Sequence, residues 1–117
     1  STFEIWGALL NGARLVVYPE GRLDLAALGR VVAETGVSVL WLTAALFHEL
    51  VDADVAAIAP VRTLLAGGDV LSVPHVRRAV AALAGGRFIN GYGPTEATTF
   101  SACHAVSSAL NRSAAVA

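Results

Sequence analysis

Val37-Ser-Val-Leu-Trp-Leu42 is an almost unbroken apolar run with a helical period on either side of it. A strand this apolar has to be covered on both faces, as the strands of a parallel sheet are. The rest of the chain repeats the alternation. Phe3, Ile5, Trp6, Leu9 and Leu10 recur at helical spacing and stop at Asn11-Gly12. Arg14-Leu-Val-Val-Tyr18 is a short β-rich run halted by Pro19. Asp24 is placed to cap a helix carrying Leu25, Leu28, Val31 and Val32, which ends at Gly36. Thr43 to Val51 reads as a helix and Arg62 to Ala66 as a second buried strand, ending at Gly67-Gly68. Ser72 is placed to cap a helix reaching Leu83, with Pro74 in its first turn. Arg87 to Asn90 is a further strand, Phe100 to Val106 a last one, and residues 107–117 carry little signal.

Strands alternating with helices predict an α/β fold with a parallel sheet covered by helices. Open sheets of this kind bind ligands beyond the carboxyl ends of their strands. Two glycine-containing loops fall there, Ala66-Gly67-Gly68-Asp69 and Asn90-Gly91-Tyr92-Gly93-Pro94-Thr95-Glu96.

Composition narrows the class. The 117 residues are 56% apolar and only 15% charged, against about 25% charged in ordinary globular chains. Such a chain is either nearly all core or has much of its surface against other protein, and the second reading is preferred. The absence of any Met, with a first stretch Ser-Thr-Phe-Glu that is no signal peptide, points to a start in mid-protein. The net charge of −1 leaves no basic footprint for nucleic acid. The longest apolar stretch, Val37 to Phe47, falls well short of the roughly 20 residues that span a membrane. The single cysteine, Cys103, reads as a small buried hydrophobe and suits a reducing cytoplasm.

The second loop offers chemistry. Gly91 and Gly93 permit close backbone approaches. Tyr92 presents a flat face for an adenine, and Asn90 can donate to and accept from a base edge. Thr95 supplies a hydroxyl for a phosphate oxygen, and Glu96 a hard carboxylate for Mg²⁺. On residue types alone the stretch reads equally well as a Gly-Pro turn with Glu96 solvated. His48 is placed on a solvated helix edge and His75 in the first turn of an exposed helix, while His104 takes no role. None of the three has metal-ligand spacing. Arg77 and Arg78 read as a solvated helix face, and Trp6 and Phe47 as core.

The order Asn-Gly-Tyr-Gly-Pro-Thr-Glu closely resembles the core motif of the adenylate-forming superfamily. Two further stretches carry the resemblance. Phe3-Glu-Ile-Trp6 with Ala8 to Ala13 looks like the helix after the Phe-Asp-x-Ser motif of nonribosomal peptide synthetase adenylation domains, Ser1 being the last residue of that motif. Leu64-Leu-Ala-Gly-Gly-Asp69 resembles the strand and turn this family places beside the adenine. The chain is thereby identified as an internal fragment of one AMP-binding adenylation domain, covering residues 1–117. The implied fold is a partial Rossmann-like parallel sheet with flanking helices, part of the large N-terminal subdomain of an adenylate-forming enzyme.

That resemblance implies a ligase reaction. An amino-acid carboxylate attacks the α-phosphorus of ATP to give an aminoacyl adenylate and pyrophosphate. The aminoacyl group then passes to the phosphopantetheine thiol of a peptidyl carrier protein domain, with a condensation domain as a further partner. Carried over by position, Asn90 and Tyr92 hold adenine, with Gly67, Gly68 and Gly93 allowing close approach. Thr95 meets the α-phosphate and Glu96 the Mg²⁺. Phe3, Trp41, Leu65, Gly67, Gly91, Thr99 and Phe100 line the amino-acid pocket; none is charged, and the set resembles that used for valine, with isoleucine or leucine next. The family's phosphate loop, its ribose-binding Asp and its C-terminal lysine are not in these residues, so the isolated chain is expected to be inactive. Two other functions compete: an acyl-CoA or aryl-acid ligase of the same superfamily, and a non-enzymatic Rossmann-like module.

Overall fold

The computed structural model of the chain describes residues 2–19, 21–22, 24–83, 85–92 and 102–106. The elements run α1 (Thr2–Leu9), α2 (Leu25–Thr35), β1 (Val39–Thr43), α3 (Ala44–Asp54), a 3-10 turn (Val55–Ile58), β2 (Thr63–Gly67), α4 (Val73–Ala82), β3 (Arg87–Tyr92) and β4 (Ala102–Val106). Local chemistry explains the helix ends. The Asp24 carboxylate accepts the Ala26 N–H and closes the first turn of α2. Gly36 ends the same helix at φ 69°, a left-handed cap that glycine adopts without strain. The Thr43 hydroxyl accepts the Leu46 N–H at the start of α3.

The sheet order is β1-β2-β3-β4. β1, β2 and β3 are parallel, and β4 returns antiparallel to β3. The sheet is therefore mixed rather than wholly parallel. Leu40, Leu64 and Phe88 share one rung, and Leu42, Ala66 and Asn90 another. Leu42, Leu64, Ala66 and Phe88 join α2, α3 and α4 in one core. At its centre the rings of Phe47 and Phe88 lie 5.3 Å apart and tilted by 50°. Phe47 is fully buried, as expected, and burying a side chain of this size is worth roughly 1.5–3 kcal/mol.

The other face departs from expectation. β1 was expected to be covered on both sides, yet Val39 is 52% exposed and Trp41 only half-buried. On that face the burial lies further in, at Leu65, flanked in register by Trp41 and Ile89, and at Gly67 and Gly91. Trp6, expected in the core, stands 55% exposed on α1. Cys103, expected to be buried, is exposed on β4.

Arg14 to Tyr18 forms no strand either. A strand needs a ladder partner for its backbone groups, and this segment is tied to α2 instead. The Arg14 guanidinium donates to the Thr35 carbonyl at one end. The Tyr18 hydroxyl meets the Asp24 backbone at 3.4 Å at the other.

Candidate active site

β1 and β2 end on the rung where Thr43, Gly67 and Gly91 lie side by side, and β3 ends one residue beyond it at Tyr92. The Gly67-Gly68 loop leaves the sheet from this rung, whereas β3, expected to stop at Asn90, carries Gly91 and Tyr92 within the strand. Asn90 sits one residue before Gly91, half-buried on the helix-covered face beside Ala66. Gly67 is buried, and its missing side chain has a definite reason. A Cβ there would collide with the Gly91 carbonyl oxygen and would stand 3.2 Å from the tip of the Trp41 indole. The space that glycine leaves is thus filled by the protein's own backbone and by Trp41. Gly68 differs: it turns the chain at φ 87° with nothing within 4 Å of a Cβ position. Beyond it, the Asp69 carboxylate accepts the Val70 N–H at 2.7 Å.

Trp41, Leu65, Gly67 and Gly91 come together on the open face of the sheet. Phe3 and Trp41 share a groove of about 830 Å³ between α1, the 13–18 segment, α2 and the free edge of β1. Leu65, Gly67 and Gly91 lie one and two strands further in. Tyr92 is the last residue of β3, opposite Ala102. The Tyr92 side chain, Gly93, Thr95, Glu96, Thr99 and Phe100 lie outside the described residues. No group of three or more His, Cys, Asp or Glu among the described residues could hold a metal ion. The Mg²⁺ assignment therefore stands on Glu96's place in the motif alone. Among the described residues no helix is long and apolar enough to cross a membrane.

Behind the Gly67–Leu71 loop lies a polar cluster that the sequence reading missed. His48, expected to be solvated, is half-buried on α3 and its Nε2 accepts the Ser72 N–H at 3.0 Å. Its ring packs against Phe47 and, at 4.7 Å between centroids, against His75. Ser72 does sit at the start of α4, but its hydroxyl makes no capping bond. It pairs with His75 Nδ1 at 2.7 Å instead.

His75 Nε2 lies 3.0 Å from Asp52 Oδ1. Arg78, exposed on the helix face as expected, donates to the same oxygen at 2.7 Å. The His75 ring first, and the Arg78 guanidinium second, hold the Asp52 carboxyl below the usual carboxylate range. The spacings carried a faint signal. Asp52 follows His48 by four residues and His75 follows Ser72 by three, so each pair shares a helix face.

Residues 1–116 match the family described as AMP-binding enzyme. The chain belongs to the AMP-binding enzyme family. It is 56% identical to a linear gramicidin synthase of Brevibacillus parabrevis over 106 residues, 91% of this chain and 1% of that protein. It is 44% identical to surfactin synthase subunit 1 of Bacillus subtilis (strain 168), over 89% of this chain and 3% of that protein. Among solved structures, holo-PA1221 is described as an NRPS protein containing adenylation and PCP domains bound to a vinylsulfonamide inhibitor. It superposes with a TM-score of 0.90 at 49% identity, over 97% of this chain and 20% of its own. The Klebsiella oxytoca NpsA N-terminal subdomain in complex with 3-hydroxyanthranilyl-AMSN gives 0.83 at 33% identity, over 90% of this chain and 27% of its own. Within the AMP-binding enzyme family the likeness is thus to nonribosomal peptide synthetase adenylation domains. The mixed sheet and its helices correspond to part of their N-terminal subdomain. The chain spans a small part of each of these relatives.

Proposed function

We propose that this chain is the nucleotide- and substrate-facing part of an adenylation domain that activates an amino acid with ATP. The observation that carries the reading is the place of Asn90-Gly91-Tyr92: the motif begins at the carboxyl end of a parallel strand, beside Gly67-Gly68. That is where open α/β sheets bind their ligands. Tyr92 and Asn90 hold the adenine, with Gly68 and Gly93 giving the backbone room. Thr95 and Glu96 face the α-phosphate and the Mg²⁺. Preorganised donors and charges of this kind do most of the work in phosphoryl chemistry. The aminoacyl group then goes to the phosphopantetheine thiol of a peptidyl carrier domain. A neighbouring condensation domain uses the product, in the cytoplasm, where an unpaired and exposed Cys103 is kept reduced.

For the amino acid we favour a branched aliphatic side chain, valine before isoleucine or leucine. Trp41, Leu65, Gly67 and Gly91, none of them charged, meet on one face, with Phe3, Thr99 and Phe100 completing the proposed pocket. A second reading, an aryl-acid ligase, has the NpsA complex in its favour, but that protein is the more distant of the two solved relatives. The test is ATP–pyrophosphate exchange by the intact protein. Exchange that depends on an α-amino acid supports the reading, exchange only with aryl acids replaces it with the second, and no exchange with any acid overturns both. The 117 residues alone are expected to give none.

A further inference from the structure

The loop from Gly67 to Leu71 is anchored at two ends and bare between them. At its start Gly67 is locked into the sheet beside Gly91. Gly68, Asp69 and Val70 are exposed, Val70 by 83%. At its end Leu71 enters the core at 3% exposure. The next residue, Ser72, carries the first backbone N–H of the α4 entry. A helix leaves its first N–H groups without internal partners. The Ser72 carbonyl is used by Val76 at 3.0 Å, whereas its N–H goes to His48 Nε2 across the gap between α3 and α4.

We propose that His48 is a positioning residue for adenylation: its acceptor nitrogen fixes the start of α4 and, through it, the path of the Gly67–Leu71 loop beside the nucleotide. The role rests on the reading of the chain as part of an adenylation domain. For Nε2 to accept, the proton of the neutral ring must sit on Nδ1, an assignment made from the partner. The ring packs against Phe47 at 5.6 Å and His75 at 4.7 Å between centroids. Removing the acceptor leaves a half-buried N–H unpaired, and an unpaired donor costs more than the bond itself contributed. The orphaned amide then seeks water, and the loop loses its fixed end.

The experiment compares His48→Phe, which keeps a ring but no acceptor, with His48→Gln, whose amide oxygen reaches where Nε2 stood. Val51→Ala, a core change on the same helix, controls for lost stability. In the intact protein, His48→Phe should raise Ser72 amide hydrogen exchange by about five-fold or more, and His48→Gln should restore protection. His48→Phe should raise the KM for ATP several-fold with a smaller change in kcat. His48→Gln should recover it, and Val51→Ala should leave KM alone at a similar loss of Tm. Equal KM values in His48→Phe and the native protein, or a Gln variant no better than Phe, overturn the proposal. If the native protein shows no acid-dependent exchange, the positioning role falls with the reading it rests on. Unaltered Ser72 protection in His48→Phe overturns the latch itself, whatever the activity.

Discussion

Gly67 and Gly91 stand side by side on β2 and β3, so close that the carbonyl oxygen of Gly91 occupies the place of a Gly67 side chain. The obstacle is backbone, so it cannot swing away as a flexible side chain would. The Trp41 indole closes the other side at 3.2 Å. Overpacking of this kind typically costs about 1–3 kcal/mol, and Gly67→Ala is expected at the upper end of that range. It should also push β3 and displace Asn90 and Tyr92, raising the KM for ATP. Denaturant unfolding and exchange kinetics check the two halves; a variant as stable as the native protein would remove this packing account of Gly67.

Gly68 makes a contrasting case. Nothing stands within 4 Å of a Cβ there, but φ is 87°. Gly68→Ala therefore meets strain without collision, worth roughly 1–2 kcal/mol for an L-residue in left-handed backbone. Urea midpoints should rank the native protein first, Gly68→Ala second and Gly67→Ala last. The reverse order of the two variants would contradict the geometry.

Asp52 has a pH signature with a definite sign. His75 and Arg78 lower its proton affinity in the folded state. A depressed carboxyl contributes stability above its unfolded value and loses it as pH falls through the folded one. The advantage of the native protein over Asp52→Asn should thus be present near neutral pH and vanish below the ordinary Asp range of about 3.9. Paired unfolding curves at neutral and acid pH check this. A difference that persisted or grew in acid would mean that Asp52 stabilises by something other than its charge.

The fold was largely legible because its signals are local. Asp24 and Gly36 mark the ends of α2 through side-chain capping and a left-handed turn, both of which a short window of sequence displays. The strands were read to within one or two residues of their ends, but the register that sets Thr43, Gly67 and Gly91 on one rung was not. What failed depended on partners distant in sequence. Arg14 to Tyr18 has a strand's residues but no ladder beside it, and Arg14 finds the Thr35 carbonyl instead. His48 looked like a solvated edge because Ser72, its partner, lies in another helix's entry. Trp6 and Cys103 looked like core on hydrophobicity alone, and no neighbour among the described residues covers them.

Two variants probe the motif that starts at the end of β3. Tyr92→Ala should raise the KM for ATP by roughly ten-fold, since aromatic stacking is worth about 1–3 kcal/mol per base in nucleic-acid binders. If Glu96 has its proposed role, Glu96→Gln takes a carboxylate from an ion that favours hard anionic oxygen, so it should lower kcat and raise the Mg²⁺ concentration needed for half-maximal exchange. Steady-state exchange kinetics at varied ATP and Mg²⁺ separate the two effects. Native kinetics in both variants would return the stretch to a Gly-Pro turn.

The substrate prediction follows from what the proposed pocket lacks. Trp41, Leu65, Gly67 and Gly91 present no charge on the open face, and Phe3, Thr99 and Phe100 add none. An ionic substrate side chain would be desolvated there without a partner, at a cost that shifts binding by orders of magnitude. Lysine, arginine, aspartate and glutamate are therefore expected to fail. Size is the second filter. The indole of Trp41 already lies against Gly67, so the gap that glycine leaves is partly filled before any substrate arrives. That favours a short branched side chain over an aromatic one. Discrimination among aliphatics should be mild, because one methylene in an apolar pocket changes binding by about 1–3 kcal/mol. An amino-acid panel in the exchange assay should rank valine first and isoleucine close behind. Trp41→Ala, which opens the same face, should move the preference toward larger side chains. A charged or aromatic amino acid at the head of the native ranking would refute the pocket assignment.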